Sequence, residues 1–314
     1  MLERLTRRPT PSTVRRLCLG ALVTNVAIVV TGGAVRLTGS GLGCPTWPRC
    51  TDTSLVPTGE MGLHGAVEFG NRMLTGVLVA SVAACLVATL RQSPRRPVLV
   101  RLSWALLAGI VAQALLGGAT VLTGLHPLTV TAHFLLSMVL VAAATMLVER
   151  SGEPEGPARV VVRREMLLGA RLLVGLAALT IVLGTIVTGS GPHSGDIAAT
   201  DRLPIDPATA TQLHADAVFA LLGLTAALLL GLAATGAPAR VRRRVVTLLA
   251  VALAQGGVGY VQYFTDLPVL LVGLHVLGAT LLWVAAVRVV LATRTRDPAP
   301  SGPEPASTPV SAEA

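Results

Sequence analysis

Four of the six histidines, His64, His133, His214 and His275, lie inside runs of apolar residues, where an ionisable ring is costly unless it has work to do or a partner. One of these runs, "LHGAVEFGNRM", also holds a glutamate. His64, Glu68 and Asn71 follow at steps of four and three, so a helix would carry them on one face, with Arg72 one residue further on. Imidazoles projecting from different helices of a bundle can hold a metal between them. Heme iron takes axial imidazoles, and its flat apolar ring suits a bundle interior. Zinc suits the pattern less well, since it usually takes three or four protein ligands and here no cysteine or third histidine joins each pair. A buried carboxylate can accept protons. The structural alternatives are an imidazole bonded to a neighbouring helix's Ser, Thr or carbonyl, and a Glu68–Arg72 ion pair one turn apart.

The elements that position these residues are membrane helices. Of 314 residues, 52% are hydrophobic and 13% charged, about half the charge of an ordinary soluble chain. Continuous apolar runs predict eight spans near 15–36, 64–89, 101–122, 129–149, 166–188, 211–233, 245–264 and 269–292. The first run is too long for a cleaved signal and seven more follow it. The formal net charge of +9 comes with no lysine at all. Its arginines gather in alternate loops near 91–101, 150–164 and 240–244 and near both ends, with Arg36, Arg49 and Arg202 on the opposite side. This positive-inside distribution predicts a cell-membrane protein with both termini cytoplasmic, and it argues against a nucleic-acid surface. The Pro/Ala/Ser-rich end predicts a disordered tail.

The chain also repeats itself. "TGSG" at 38–41 recurs at 188–191, and at the same offset of 150 His64 matches His214. "AQALLG" at 112–117 faces "AQGGVG" at 254–259, and "TGLHPLTVTAH" at 123–133 faces "TDLPVLLVGLH" at 265–275, so His133 matches His275 at an offset of 142. Four spans repeated in the same orientation predict an all-α integral membrane fold, with eight transmembrane helices as two pseudo-twofold-related four-helix bundles. The expected parts are a cytoplasmic N-terminus (1–14), an N-terminal bundle (15–149), a cytoplasmic linker (150–165), a C-terminal bundle (166–292) and a cytoplasmic tail (293–314). The halves share histidines but not Glu68, which suggests one reacting pocket and one electron-relay pocket. Gln113 and Gln255 are expected to bond between helices. His126 and His193 read as loop residues near a pocket mouth. Arg36 and Arg72 are placed where heme carboxylates could meet them.

The first outer loop contains Cys44 and Cys50 beside Pro45 and Pro48. In an oxidising compartment this spacing predicts a disulfide, with two free thiols or part of a metal site as alternatives. Cys18 and Cys85 read as separate packing residues.

With these residues in view, the sequence resembles the heme A synthase family. The likeness covers about residues 15–292 and rests on "RLTGSGLGCPTWPRC", "VEFGNRM", "AHFLLSM" and "VTGSGPHSGD". It implies oxidation of the C8 methyl of heme O to the formyl of heme A, through an alcohol and a gem-diol. It further implies a heme b held by His214 and His275, and heme O in the N-terminal half, with Glu68 as the catalytic residue. His133, Asn71, Arg72 and His64 are the residues expected to face heme O. A protoheme farnesyltransferase would supply that heme, an unidentified acceptor would take the electrons, and a homo-oligomer is compatible. Many members carry Glu-x-x-His in the second span; here Asn71 stands at the histidine position. Either His64 substitutes for that ligand or His133 holds the heme alone. Rival readings are a di-heme membrane cytochrome and a parallel-repeat transporter.

Overall fold

The computed structural model describes residues 8–297. Eight helices dominate it: α1 (Pro11–Leu37), α2 (Gly62–Arg91), α3 (Pro97–Leu122), α4 (Pro127–Ser151), α5 (Arg164–Ser190), α6 (Pro207–Ala234), α7 (Ala239–Phe264) and α8 (Val269–Ala292). Each is long and apolar enough to cross a bilayer, so the chain is a multi-pass membrane protein. Helices α1, α3, α4 and α6 begin two to four residues before the apolar runs, because proline at the first turn starts the helix outside the hydrocarbon. Thr10, His126 and Asp206 cap α1, α4 and α6 through side-chain acceptors.

Helices α1–α4 close into one four-helix bundle and α5–α8 into another. They meet along α1, α4, α5 and α8. The repeat governs the packing. Buried Leu78, Val82, Cys85 and Thr89 of α2 recur as Leu221, Thr225, Leu228 and Leu232 of α6, and Leu99, Ser103, Leu106 and Ile110 of α3 as Val241, Val245, Leu248 and Ala252 of α7. The α3–α4 and α7–α8 corners match as well: Leu125 and Leu267 both adopt positive φ (61° and 57°), and each donates its N–H five residues back. Leucine rarely adopts this conformation, and both times it lies where the chain must reverse within a few residues.

The halves are joined across their length. Trp283 Nε1 donates to the Met138 carbonyl at 2.8 Å. At the end remote from the termini (the far end), Arg36 donates to the carbonyls of His193 (2.7 Å) and Thr188 (3.1 Å). At the terminal end, buried Glu149 of α4 receives Arg288 at 2.6 Å and Arg244 at 3.2 Å. A short antiparallel ribbon pairs β1 (Ala158–Val160) with β2 (Arg294–Arg296). The expectation of a disordered tail from 293 therefore fails for residues 294–296: pairing with the linker satisfies their backbone. Residues 298–314 and 1–7, which complete the expected tail and N-terminus, lie outside the described residues.

Candidate functional site

Each bundle carries a polar cluster in its far half, and the two are built on one plan. In the C-terminal bundle, α6 presents His214 and α8 presents His275, with ring centres 6.4 Å apart and planes at 67°. Two metal–imidazole bonds of about 2 Å each, plus the half-width of each ring, would give roughly this separation. His214 Nδ1 lies 3.0 Å from the Thr180 carbonyl, which leaves Nε2 for a ligand, as is usual for a metal-binding imidazole. His275 Nδ1 is buried with no hydrogen-bond partner among the described residues. Glycines make room for both rings: a Cβ at Gly184 would stand 3.2 Å from His214 and one at Gly259 3.4 Å from His275. No cluster of three or more His, Cys, Asp or Glu side chains occurs among the described residues, so the donor set is two facing imidazoles.

The N-terminal bundle reproduces the half of this arrangement built by α3 and α4. His133 sits against Gly117, where a Cβ would stand 3.1 Å away, and its Nδ1 is also buried and unpartnered. Gln113 donates to the His133 carbonyl (3.1 Å) as Gln255 donates to that of His275 (2.8 Å), so both glutamines bond between helices as expected. The α1–α2 half differs. The burial match of α2 to α6 runs at an offset of 143, which pairs Asn71, and not His64, with His214. Asn71 faces Gly32 of α1 as His214 faces Gly184 of α5, and its Oδ1 is buried without a partner. The offset of 150 taken from the TGSG loops is one heptad longer. A seven-residue slip returns almost the same helix face, so the sequence match misled on depth. His64 is exposed two turns above Asn71, about 10 Å along the axis, with Nδ1 2.9 Å from Ser40 Oγ.

Above the N-terminal cluster the Cys44–Cys50 disulfide closes a loop, with Cα atoms 4.4 Å apart and both cysteines fully buried. Glu68 and Arg72 hold it. Glu68 Oε2 accepts from the Cys44 N–H at 2.5 Å, and Oε1 takes Arg72 at 2.6 Å. Arg72 also donates to the carbonyls of Cys44, Thr46 and Arg49. The guanidinium expected to meet heme carboxylates is thus spent on the loop. Arg36 is likewise spent, on carbonyls of the other half. Gly43 lies so close to the His64 carbonyl that a Cβ there would collide with it. The same loop lays Trp47 on Gly118, next to the glycine that faces His133. His126 caps α4, and His193 bonds the Leu267 carbonyl at 3.1 Å, so both work as loop braces.

Sequence reasoning missed the loop's grip on Glu68, the role of Trp47 and one cysteine contact. Cys18 and Cys85, expected to be separate, bring their sulfurs within 3.4 Å in the buried α1–α2 seam. The available signal was glycine spacing: Gly117 and Gly259 each precede a histidine by 16 residues.

Against known proteins, residues 15–287 match the COX15-CtaA family, described as a cytochrome oxidase assembly protein. Similar curated proteins include the heme A synthase of Lysinibacillus sphaericus (34% identical over 130 residues, 41% of this chain and 42% of the relative). That of Geobacillus kaustophilus is 32% identical over 115 residues, 36% of this chain and 35% of the relative. That of Listeria monocytogenes is 30% identical over 163 residues, half of each. The matched stretches thus span between about a third and a half of these relatives.

Proposed function

This chain belongs to the COX15-CtaA family of cytochrome oxidase assembly proteins, and from that premise we propose that it is a heme A synthase, oxidising the C8 methyl of heme O to a formyl group. The observation that carries this reading is the facing imidazole pair of His214 and His275, 6.4 Å apart, together with His133 at the same register in the other bundle. In the C-terminal bundle the pair is the expected holder of a heme b. The unpartnered His275 nitrogen and the glycine-lined space beside both rings fit such a group. When bound, heme b supplies a one-electron relay.

Heme O is the proposed substrate of the N-terminal bundle. His133 is its single imidazole partner, because His64 stands two turns too high and bonds Ser40. Asn71 faces the opposite side with a free carboxamide oxygen. An amide is a weak iron ligand, so this half would offer a heme one imidazole where the other half offers two. Glu68 lies one turn above Asn71 and is the proposed proton acceptor. The Cys44 N–H and Arg72 fix its two oxygens, so proton transfer at Oε2 is coupled to the loop that covers the pocket. Trp47, packed on Gly118, and the disulfide loop lie over that side. The arginine distribution supports a cell-membrane protein with cytoplasmic termini and both clusters towards the outside. A protoheme farnesyltransferase would deliver the substrate, and an external acceptor would take the electrons.

Co-expression with a source of heme O, followed by analysis of extracted hemes, tests the reading. Heme A should accumulate. Retention of heme B alone, with no heme A, would instead identify a di-heme electron-transfer cytochrome.

A further inference from the structure

The terminal end of the seam between the bundles holds a surplus of positive charge. A cavity of about 230 Å³ is lined by Arg15 of α1, Arg240 and Arg244 of α7, Arg296 of β2, and Glu149 and Glu153. Arg150, Arg240, Arg244, Arg288 and Arg296 all pair with those two carboxylates, and Arg15 stands beside them. Six guanidinium groups therefore surround two acids. Arg15 has no hydrogen bond or ion pair among the described residues and packs on Gly152, where a Cβ would stand 3.3 Å from its guanidinium. Arg296 Nε is buried without a hydrogen bond. Six cations against two carboxylates leave the rim of this cavity net positive, and with Arg15 and Arg240 open to solvent it attracts an anion.

A second cavity of about 490 Å³ runs away from it between α1 and α8. Leu22, Val26 and Val30 form one wall, Leu277 and Leu281 the other, and Arg288 stands at its terminal end. Arg288 and Arg244 share Glu149, which links the groove to the charged cavity. From Leu22 to Thr31 the groove is about 14 Å long. A cationic cup and an apolar groove, bridged by the Arg288–Glu149 ion pair, match one amphipathic molecule with an anionic head.

We propose that this seam binds an anionic phospholipid, with its phosphodiester head among Arg15, Arg240, Arg244 and Arg296 and an acyl chain between α1 and α8. The lipid would brace the two bundles where their direct packing leaves a gap. The inference does not depend on the enzymatic reading.

The test is native mass spectrometry of the purified full chain, with thermal unfolding in parallel, in the presence of phosphatidylglycerol, phosphatidylcholine or inorganic phosphate. Phosphatidylglycerol should be retained at least tenfold better than phosphatidylcholine and should raise the unfolding temperature. The double variant R15Q/R240Q should erase that preference, and Leu281→Trp should lower retention of both lipids. Should the double variant fail to fold, R15Q alone still decides, since Arg15 bonds nothing among the described residues and its loss should weaken retention severalfold. Equal retention of the two lipids, or unchanged retention in R15Q, would overturn the proposal. So would protection by inorganic phosphate equal to that by phosphatidylglycerol, which points to a free anion, or a wild-type dimer abolished by Leu281→Trp, which points to a second copy in the groove.

Discussion

The two bundles share a scaffold and differ at one rung. In both, a histidine on the fourth helix packs on a glycine of the third, with a glutamine bonded to its carbonyl. On the second helix the C-terminal bundle places His214, braced by Thr180, and the N-terminal bundle places Asn71. Above that rung α6 starts on an ordinary Asp206 cap. The start of α2 instead has no side-chain cap and carries Glu68 and Arg72 clamped into a disulfide loop. A closed imidazole pair suits a group that only exchanges electrons. A single imidazole, a carboxamide and a covered carboxylate suit a group on which a reaction occurs. The duplicated scaffold thus supplies position, and a few substitutions decide chemistry.

The largest expected effect lies in the imidazoles. His275→Ala should abolish the C-terminal heme absorption, whereas His133→Ala should leave it intact and remove only heme O binding; difference spectra of the purified variants would show this. Equal loss in both would mean that the bundles do not load independently.

Next comes the carboxylate clamp. Glu68→Gln should stop heme A formation while the C-terminal heme remains. Arg72→Met removes the loop's main donor and strands a buried carboxylate, at a cost of about 3–5 kcal/mol, measurable by thermal unfolding. If Arg72→Met and Glu68→Gln lose activity only in proportion to lost stability, Glu68 is a loop anchor and not a proton acceptor.

Asn71→His should make the halves alike. In the heme-loaded ferric protein it should add a second low-spin bis-imidazole signal by electron paramagnetic resonance and slow turnover by at least tenfold. A wild-type spectrum that already shows two such signals would refute the single-imidazole reading. The smallest effect is His64→Ala. It forfeits one hydrogen bond to Ser40, about 1 kcal/mol, and should leave heme spectra unchanged; lost heme O binding would restore His64 as a ligand.

Much of this was legible in the chain. Apolar runs alone give eight spans, because hydrocarbon thickness fixes helix length. The repeated motifs give two bundles, and the cysteine spacing gives the disulfide. Depth along α2 was not legible. A seven-residue slip preserves the buried face, so identical letters paired His64 with His214 where packing pairs Asn71.

What the sequence determined by itself is therefore local or periodic: spans, duplication and the presence of imidazoles in apolar surroundings. What only the tertiary structure decided is which polar atoms meet. Glu68 meets Cys44, Cys18 meets Cys85, and Arg36 reaches the other half, across separations of 24, 67 and 157 residues. Such contacts depend on the relative depth of packed helices, which interlocking side chains and glycine gaps set and no repeat within a single helix records.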